Sequence, residues 1–169
     1  MNVKSINLIE VETINIHIPG RSYGSIEELD AESGALMNAA IEAMGSAYAP
    51  YSNFMVGAAV LLENDVIVRG SNQENAAYPS GLCAERVAVF AAASAYPGKA
   101  IRKIAIAARR RDSVELSQAG PCGACRQVLT EYEDHQKSML QVLMHYNGRI
   151  LVLDSAGSLL PFKFGADSL

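Results

Sequence analysis

The chain has 169 residues, 50% of them hydrophobic, with no tryptophan and a formal net charge of −4. That length suits one domain able to bury about two-thirds of its unfolded surface. The mild acidity excludes the basic stripe that a nucleic-acid polymer demands, and no apolar run reaches the length of a membrane span.

Residues 1–24 read as an extension ahead of a domain spanning residues 25–169. In the extension, Ile6 and Leu8, then Ile14, Ile16 and Ile18, alternate with Asn7, Asn15 and His17. This period of two predicts one or two short edge strands, ended by Pro19-Gly20, with His17 at the surface. Glu10 and Glu12 interrupt any apolar core of a secretory signal.

Ser25-Ile26-Glu27-Glu28 has the spacing of a capping box. The helix it opens puts Leu29, Ser33, Leu36, Ala40, Met44 and Ala47 on one face and ends before Pro50. Residues 54–62 and 66–69 predict a hairpin turning at Glu63-Asn64-Asp65. Residues 56–62 are apolar without a break, as in a strand covered on both faces, and residues 101–108 form another such run. The helix starting at Cys83 must cross over between them. Arg109-Arg110-Arg111, the basic run, reads as a solvated strand end, with phosphate binding as the lesser alternative. Residues 140–145 and 149–153 flank Asn147-Gly148, a two-residue hairpin signal, and a short helix follows near Ser155. The order predicts a three-layer α/β/α sandwich on a mixed, five-stranded sheet.

All three cysteines stand at the mouths of predicted helices: Cys83 before Ala84-Glu85-Arg86, and Cys122 and Cys125 in Pro121-Cys122-Gly123-Ala124-Cys125-Arg126-Gln127. Cys83 by itself reads as a buried structural cysteine. A Cys-x-x-Cys pair at a helix start reads as a redox disulfide or as part of a zinc site. The redox reading leaves Cys83 and Glu85 without a role. Catalytic zinc uses them all, with three thiolates and an open fourth position. Structural zinc needs a fourth ligand, and His17, His135 and His145 follow no ligand spacing. An odd number of cysteines, with no secretory signal, predicts a reducing, cytoplasmic setting.

Cys83-x-Glu85 followed by Pro121-Cys122-x-x-Cys125 is the signature of zinc base deaminases, in which the glutamate carries protons and does not bind metal. Together with the segments 48–54, 56–59 and 70–78, it resembles the cytidine deaminase family over about residues 27–169. The closest likeness is to the short, homotetrameric, three-cysteine branch. The resemblance implies the α/β/α fold and one Zn²⁺ per subunit on Cys83, Cys122 and Cys125. It also implies hydroxide generated at zinc that attacks C4 of cytidine or 2′-deoxycytidine, with Glu85 as proton shuttle, in pyrimidine salvage. Asn72 and Glu74 match the pair that hydrogen-bonds the ribose 3′-hydroxyl, Phe54 the aromatic against the pyrimidine, and Ala84 a backbone contact to the base. Tyr51 matches an interface tyrosine. Phe164, or Phe162 two residues away, matches the aromatic that reaches a neighbouring subunit's pocket.

Three thiolates leave the zinc centre negative, and two helix N-termini offset this only in part. Arg86 and Arg126, each beside a ligand, are therefore expected to donate to cysteine sulfur, with surface charge as the alternative. Glu85 as a helix-dipole carboxylate and Asn72 and Glu74 as ordinary turn residues are the competing local readings. Two rival functions stand beside the nucleoside deaminase: a zinc deaminase with another substrate, and a zinc-stabilised binding module. The 3′-hydroxyl clamp argues against the first, and Glu85 with no fourth ligand argues against the second.

Overall fold

Strands that are apolar on both faces need a layer on each side, and the computed structural model, which describes residues 11–169, has that architecture. The elements in order are β1 (Gly20–Tyr23), α1 (Ala31–Ala43), β2 (Phe54–Leu62), β3 (Ile67–Ser71), α2 (Ala84–Ala95), β4 (Ile101–Arg110), α3 (Gly123–Gln136), β5 (Gln141–Tyr146) and β6 (Arg149–Leu153). They build one sheet in the order β1-β6-β5-β4-β2-β3. Only β4 and β5 pair in parallel, and the other neighbours are antiparallel. Alternate residues of β2 and β4 feed two cores. Ala59, Leu61, Ala105 and Ala107 pack against Leu36, Met37 and Ala40 of α1. Ala58, Val60, Ile104 and Ile106 pack against Ala88 and Val89 of α2 and Leu129 of α3.

The sheet has six strands rather than five, and the sixth corrects the reading of the extension. Ile14, Ile16 and Ile18 are exposed and carry no regular structure, and Ile6 and Leu8 lie outside the described residues. The edge strand starts where the predicted ones were to stop, with Gly20 to Tyr23 opposite Leu153 to Ile150. Pro19 has no N–H to give a ladder, so pairing to β6 begins after it. The predicted capping box is also corrected. Ser25 makes no side-chain cap and precedes a short 3₁₀ turn, Ile26–Glu28. Asp30 caps α1 instead, accepting from the Ser33 N–H at 2.8 Å.

The antiparallel pairing of β2 with both β3 and β4 makes those two flanking strands run the same way. Each leads into a helix, β3 into α2 and β4 into α3, so both helices begin beyond the carboxyl ends of their strands. In open α/β sheets that is where ligands gather. Helix α2 lies close on β3: a Cβ at Gly70 would sit 2.6 Å from the Ala84 carbonyl. A larger residue there would push out the helix start that follows Cys83. Among the described residues no helix is long and apolar enough to cross a membrane.

Candidate metal centre and nucleoside pocket

Cys83 and Cys122 are the N-cap residues of α2 and α3, both with extended backbone. Their carbonyls start the helices, accepting from Val87 N–H at 3.1 Å and Arg126 N–H at 2.9 Å. A serine or aspartate at such a position would turn its side chain back to cap the helix. Neither cysteine does, which leaves both sulfurs free. Cys125, buried one turn into α3, supplies the third.

The sulfurs converge. Cys83 Sγ lies 3.8 Å from Cys122 Sγ, and Cys122 Sγ lies 3.5 Å from Cys125 Sγ, with all three within 4.8 Å of one another. A tetrahedral centre with Zn–S bonds of about 2.3 Å separates its sulfurs by about 3.8 Å. The spacing and the soft donor set fit zinc. Among the described residues this is the one such group of potential ligands. Hydrogen bonding with Cys125, and then with Arg86, pushes the Cys83 thiol down to about 5. Cys125, hydrogen-bonded to Cys83 and desolvated, is pushed up.

Glu85, in the first turn of α2, is only 4% exposed. Burial, reinforced by the charge of Cys83, raises its pKa above the usual carboxylate range. A carboxyl group whose pKa is raised holds a proton more readily, which suits a group that must both take and give one. It lines a cavity of about 610 Å³ together with Cys83, Cys122, Ala84, Phe54, Asn72 and Glu74. That volume lies within the range of small-molecule sites. Val56, Ile106 and Ala108 add apolar wall.

Arg86 and Arg126 differ in what they touch. Arg86 Nη2 approaches Cys83 Sγ at 3.8 Å, and its buried Nε finds no partner among the described residues. Arg126, expected to donate to sulfur, instead donates from Nε to the Pro121 carbonyl at 2.9 Å and from Nη1 to the Leu159 carbonyl at 3.3 Å. Pro121 is buried, and its carbonyl needs a donor. Arg126 thus ties down the loop that presents Cys122 rather than the sulfur itself.

Asn72 extends the sheet with its side chain. The β2–β3 ladder stops at Gly57 opposite Ser71, and beyond it the Asn72 amide accepts from Val56 N–H at 2.8 Å and donates to the Phe54 carbonyl at 2.9 Å. One amide N–H is left for another acceptor. Glu74 accepts from the backbone N–H groups of Tyr51 at 2.9 Å and Ser52 at 3.3 Å, and from the Ser52 hydroxyl. The Ser52 hydroxyl, foremost, holds the Glu74 carboxyl below its ordinary range. Tyr51 stands at the cavity rim with its ring 6.4 Å from that of Tyr78. Phe162 and Phe164 are 86% and 61% exposed and do not line this cavity. Phe164 is fixed through its carbonyl, which accepts from Gln127 Nε2 at 2.8 Å.

Ser52 and Tyr78 were not singled out as individual residues by the sequence. Ser52 lies within the segment 48–54, and its partner Glu74 is 22 positions away. Of the basic run, Arg109 has a buried Nε without a partner among the described residues, Arg110 lies 3.9 Å from Asp112, and Arg111 is exposed.

The comparisons with known proteins agree with this geometry. A family model described as the cytidine and deoxycytidylate deaminase zinc-binding region matches residues 31–140. The chain is 39% identical over 144 residues to a cytidine deaminase of Sporosarcina psychrophila, covering 85% of this chain and 94% of that one. It is 45% identical over 96 residues to a cytidine deaminase of Halalkalibacterium halodurans, covering 57% of this chain and 68% of that one. Among solved structures, a cytidine deaminase from Burkholderia pseudomallei superposes with a TM-score of 0.65 at 42% identity, covering 77% of this chain and 97% of that one. With three sulfurs at zinc spacing and a buried glutamate beside them, the chain belongs to the cytidine and deoxycytidylate deaminase zinc-binding family.

Proposed function

We propose that this protein hydrolyses cytidine and 2′-deoxycytidine to uridine and 2′-deoxyuridine, releasing ammonia. The observation that carries this reading is the burial of Glu85 in the same cavity as Cys83 and Cys122, at the helix starts that bring three sulfurs together. Zinc held by Cys83, Cys122 and Cys125 supplies Lewis acidity, lowering the pKa of water toward neutrality. Glu85 moves the protons. It takes one from the water whose oxygen bonds to C4 and passes it to N3. It then takes the proton of the new C4 hydroxyl and gives it to the amino group, so that the C4–N4 bond breaks, ammonia leaves and C4 becomes a carbonyl.

Phe54, Val56, Ile106 and Ala108 offer apolar surface for the pyrimidine, and Ala84 brings α2's first turn close to the base. Asn72, with one amide N–H to spare, and Glu74, kept ionised, suit a sugar 3′-hydroxyl as acceptor and donor. The same carboxylate repels a 3′-phosphate, which disfavours polynucleotides. Arg86 offsets the charge of the sulfurs. The protein acts in the cytoplasm, in pyrimidine salvage, where its three thiols stay reduced. It works as a homotetramer, with the exposed Tyr51 at a subunit contact and Phe164, or Phe162, offered to a neighbour.

Glu85→Gln tests the proposal. The amide keeps the shape but cannot carry a proton, so kcat for cytidine, followed by absorbance, falls about 10²–10⁴-fold. Zinc content, measured on the same sample, stays at one per subunit. Turnover at the parent rate would remove Glu85 from the mechanism. Cytosine, which lacks the sugar, is expected to be a far poorer substrate than either nucleoside.

A further inference from the structure

Taking Glu74 as the sugar acceptor proposed above, we propose that Ser52 is a positioning residue for substrate recognition, its hydroxyl locking the Glu74 carboxylate in place for the 3′-hydroxyl. An ionised carboxylate offers about four acceptor sites. Three of those on Glu74 are filled from one short segment: Tyr51 N–H, Ser52 N–H and the Ser52 hydroxyl. Both carboxylate oxygens are engaged, Oε2 by the backbone and Oε1 by the hydroxyl. Two-point attachment fixes the rotation of the group about its last bond, which the backbone contacts to Oε2 alone do not. The acceptor site left over is then directed by Ser52.

The same hydroxyl oxygen accepts from Phe54 N–H at 3.0 Å. Between them Asn53 takes a left-handed backbone, φ 55°, which folds the segment tightly enough for that bond. Ser52 therefore joins the carboxylate assigned to the sugar to the backbone of the residue assigned to the base. Phe54 in turn is held from the other side by Asn72, whose amide donates to its carbonyl at 2.9 Å. The sugar and base contacts are set as one unit, with Ser52 as the link between them.

The test compares 2′-deoxycytidine with 2′,3′-dideoxycytidine, which differ only in the 3′-hydroxyl, and reads the ratio of their kcat/KM values. Hydrogen bonds to charged groups of this kind correspond to about a tenfold effect or more. Ser52→Ala is expected to reduce the ratio about tenfold, mainly through a higher KM for 2′-deoxycytidine, and Ser52→Thr, which keeps the hydroxyl, to restore most of it. Loss of activity in Ser52→Ala that is equal for the two substrates, or an unchanged ratio, would overturn the assignment, because a merely structural serine does not distinguish them. Glu74→Gln is run alongside. If it collapses the ratio while Ser52→Ala does not, the Ser52 assignment alone fails; if it leaves the ratio intact, Glu74 is not the sugar acceptor and both fall.

Discussion

A cysteine that occupies a helix N-cap without capping it leaves its sulfur for other work, and the sulfurs of two such residues here lie 3.8 Å apart. Three thiolates so close repel one another unless positive charge lies near. The helix starts supply some, and Arg86 brings a whole positive charge to 3.8 Å from Cys83 Sγ. Arg86→Gln is therefore expected to weaken zinc retention about 10–100-fold, read by competition with a chromogenic chelator. Equal retention by parent and variant would mean that the helix dipoles suffice. The meeting of the three sulfurs was legible in the sequence because each of the two motifs, Cys83-x-Glu85 and Cys122-x-x-Cys125, sets its spacing within a single helical turn. Arg126 was not: its partner Leu159 is 33 positions away, and the carbonyl of Pro121 competes for the same guanidinium. Adjacency to a ligand fixed where Arg126 starts, not where its long side chain ends.

At the scale of elements, the strands read correctly wherever both faces are buried, as in β2 and β4, since burial on two sides leaves no freedom to alternate polar residues. Helix α1 shows the opposite case. Ser25-x-x-Glu28 satisfies a local rule, yet Glu28 accepts from Gly24 N–H at 2.7 Å and the helix waits for Asp30. Contacts from a distant strand support that start: Lys103 on β4 reaches the Ser33 hydroxyl and Glu32, each at 2.8 Å. Asp30→Ala is expected to cost about 1 kcal/mol, a fall in Tm of about 2–4 °C for a chain of this size. The pH dependence has a definite sign. Asp30 is held below the ordinary carboxylate range, the Ser33 N–H being the largest cause. Its contribution is therefore present above the unfolded-state value of about 3.9 and is lost as pH falls through the lower folded value. Thermal melts at neutral pH should separate parent and variant, and melts well below pH 4 should bring them together. A gap that persists in acid would assign the effect to something other than the ionised cap.

For the whole molecule, the sheet order separates the site from the chain's first strand. The cavity draws on β2, β4 and the segment from β3 into α2, whereas β1 lies at the opposite edge. Four residue pairs hold β1 to β6, and Arg21 with Asp154 and Arg149 with Ser22 join their side chains. The layers and crossovers were legible because apolar periodicity and turn chemistry are local. The placement of this edge was not, because a strand's limits depend on its partner, and Ile14, Ile16 and Ile18 have none in the ladder. Two shortened chains separate stability from activity here, one starting at Pro19 and one at Ser25. The second lacks β1 and bares the β6 edge, with its unpaired N–H and C=O groups. It should melt several degrees below the first and aggregate more readily. At 25 °C, in folded, zinc-loaded samples, the two should share the same kcat and KM for cytidine, because no residue of β1 touches the cavity. Equal melting temperatures would show that β1 adds nothing to stability. A kinetic difference at full zinc occupancy would show that the far edge reaches the site through the sheet or through a neighbouring subunit.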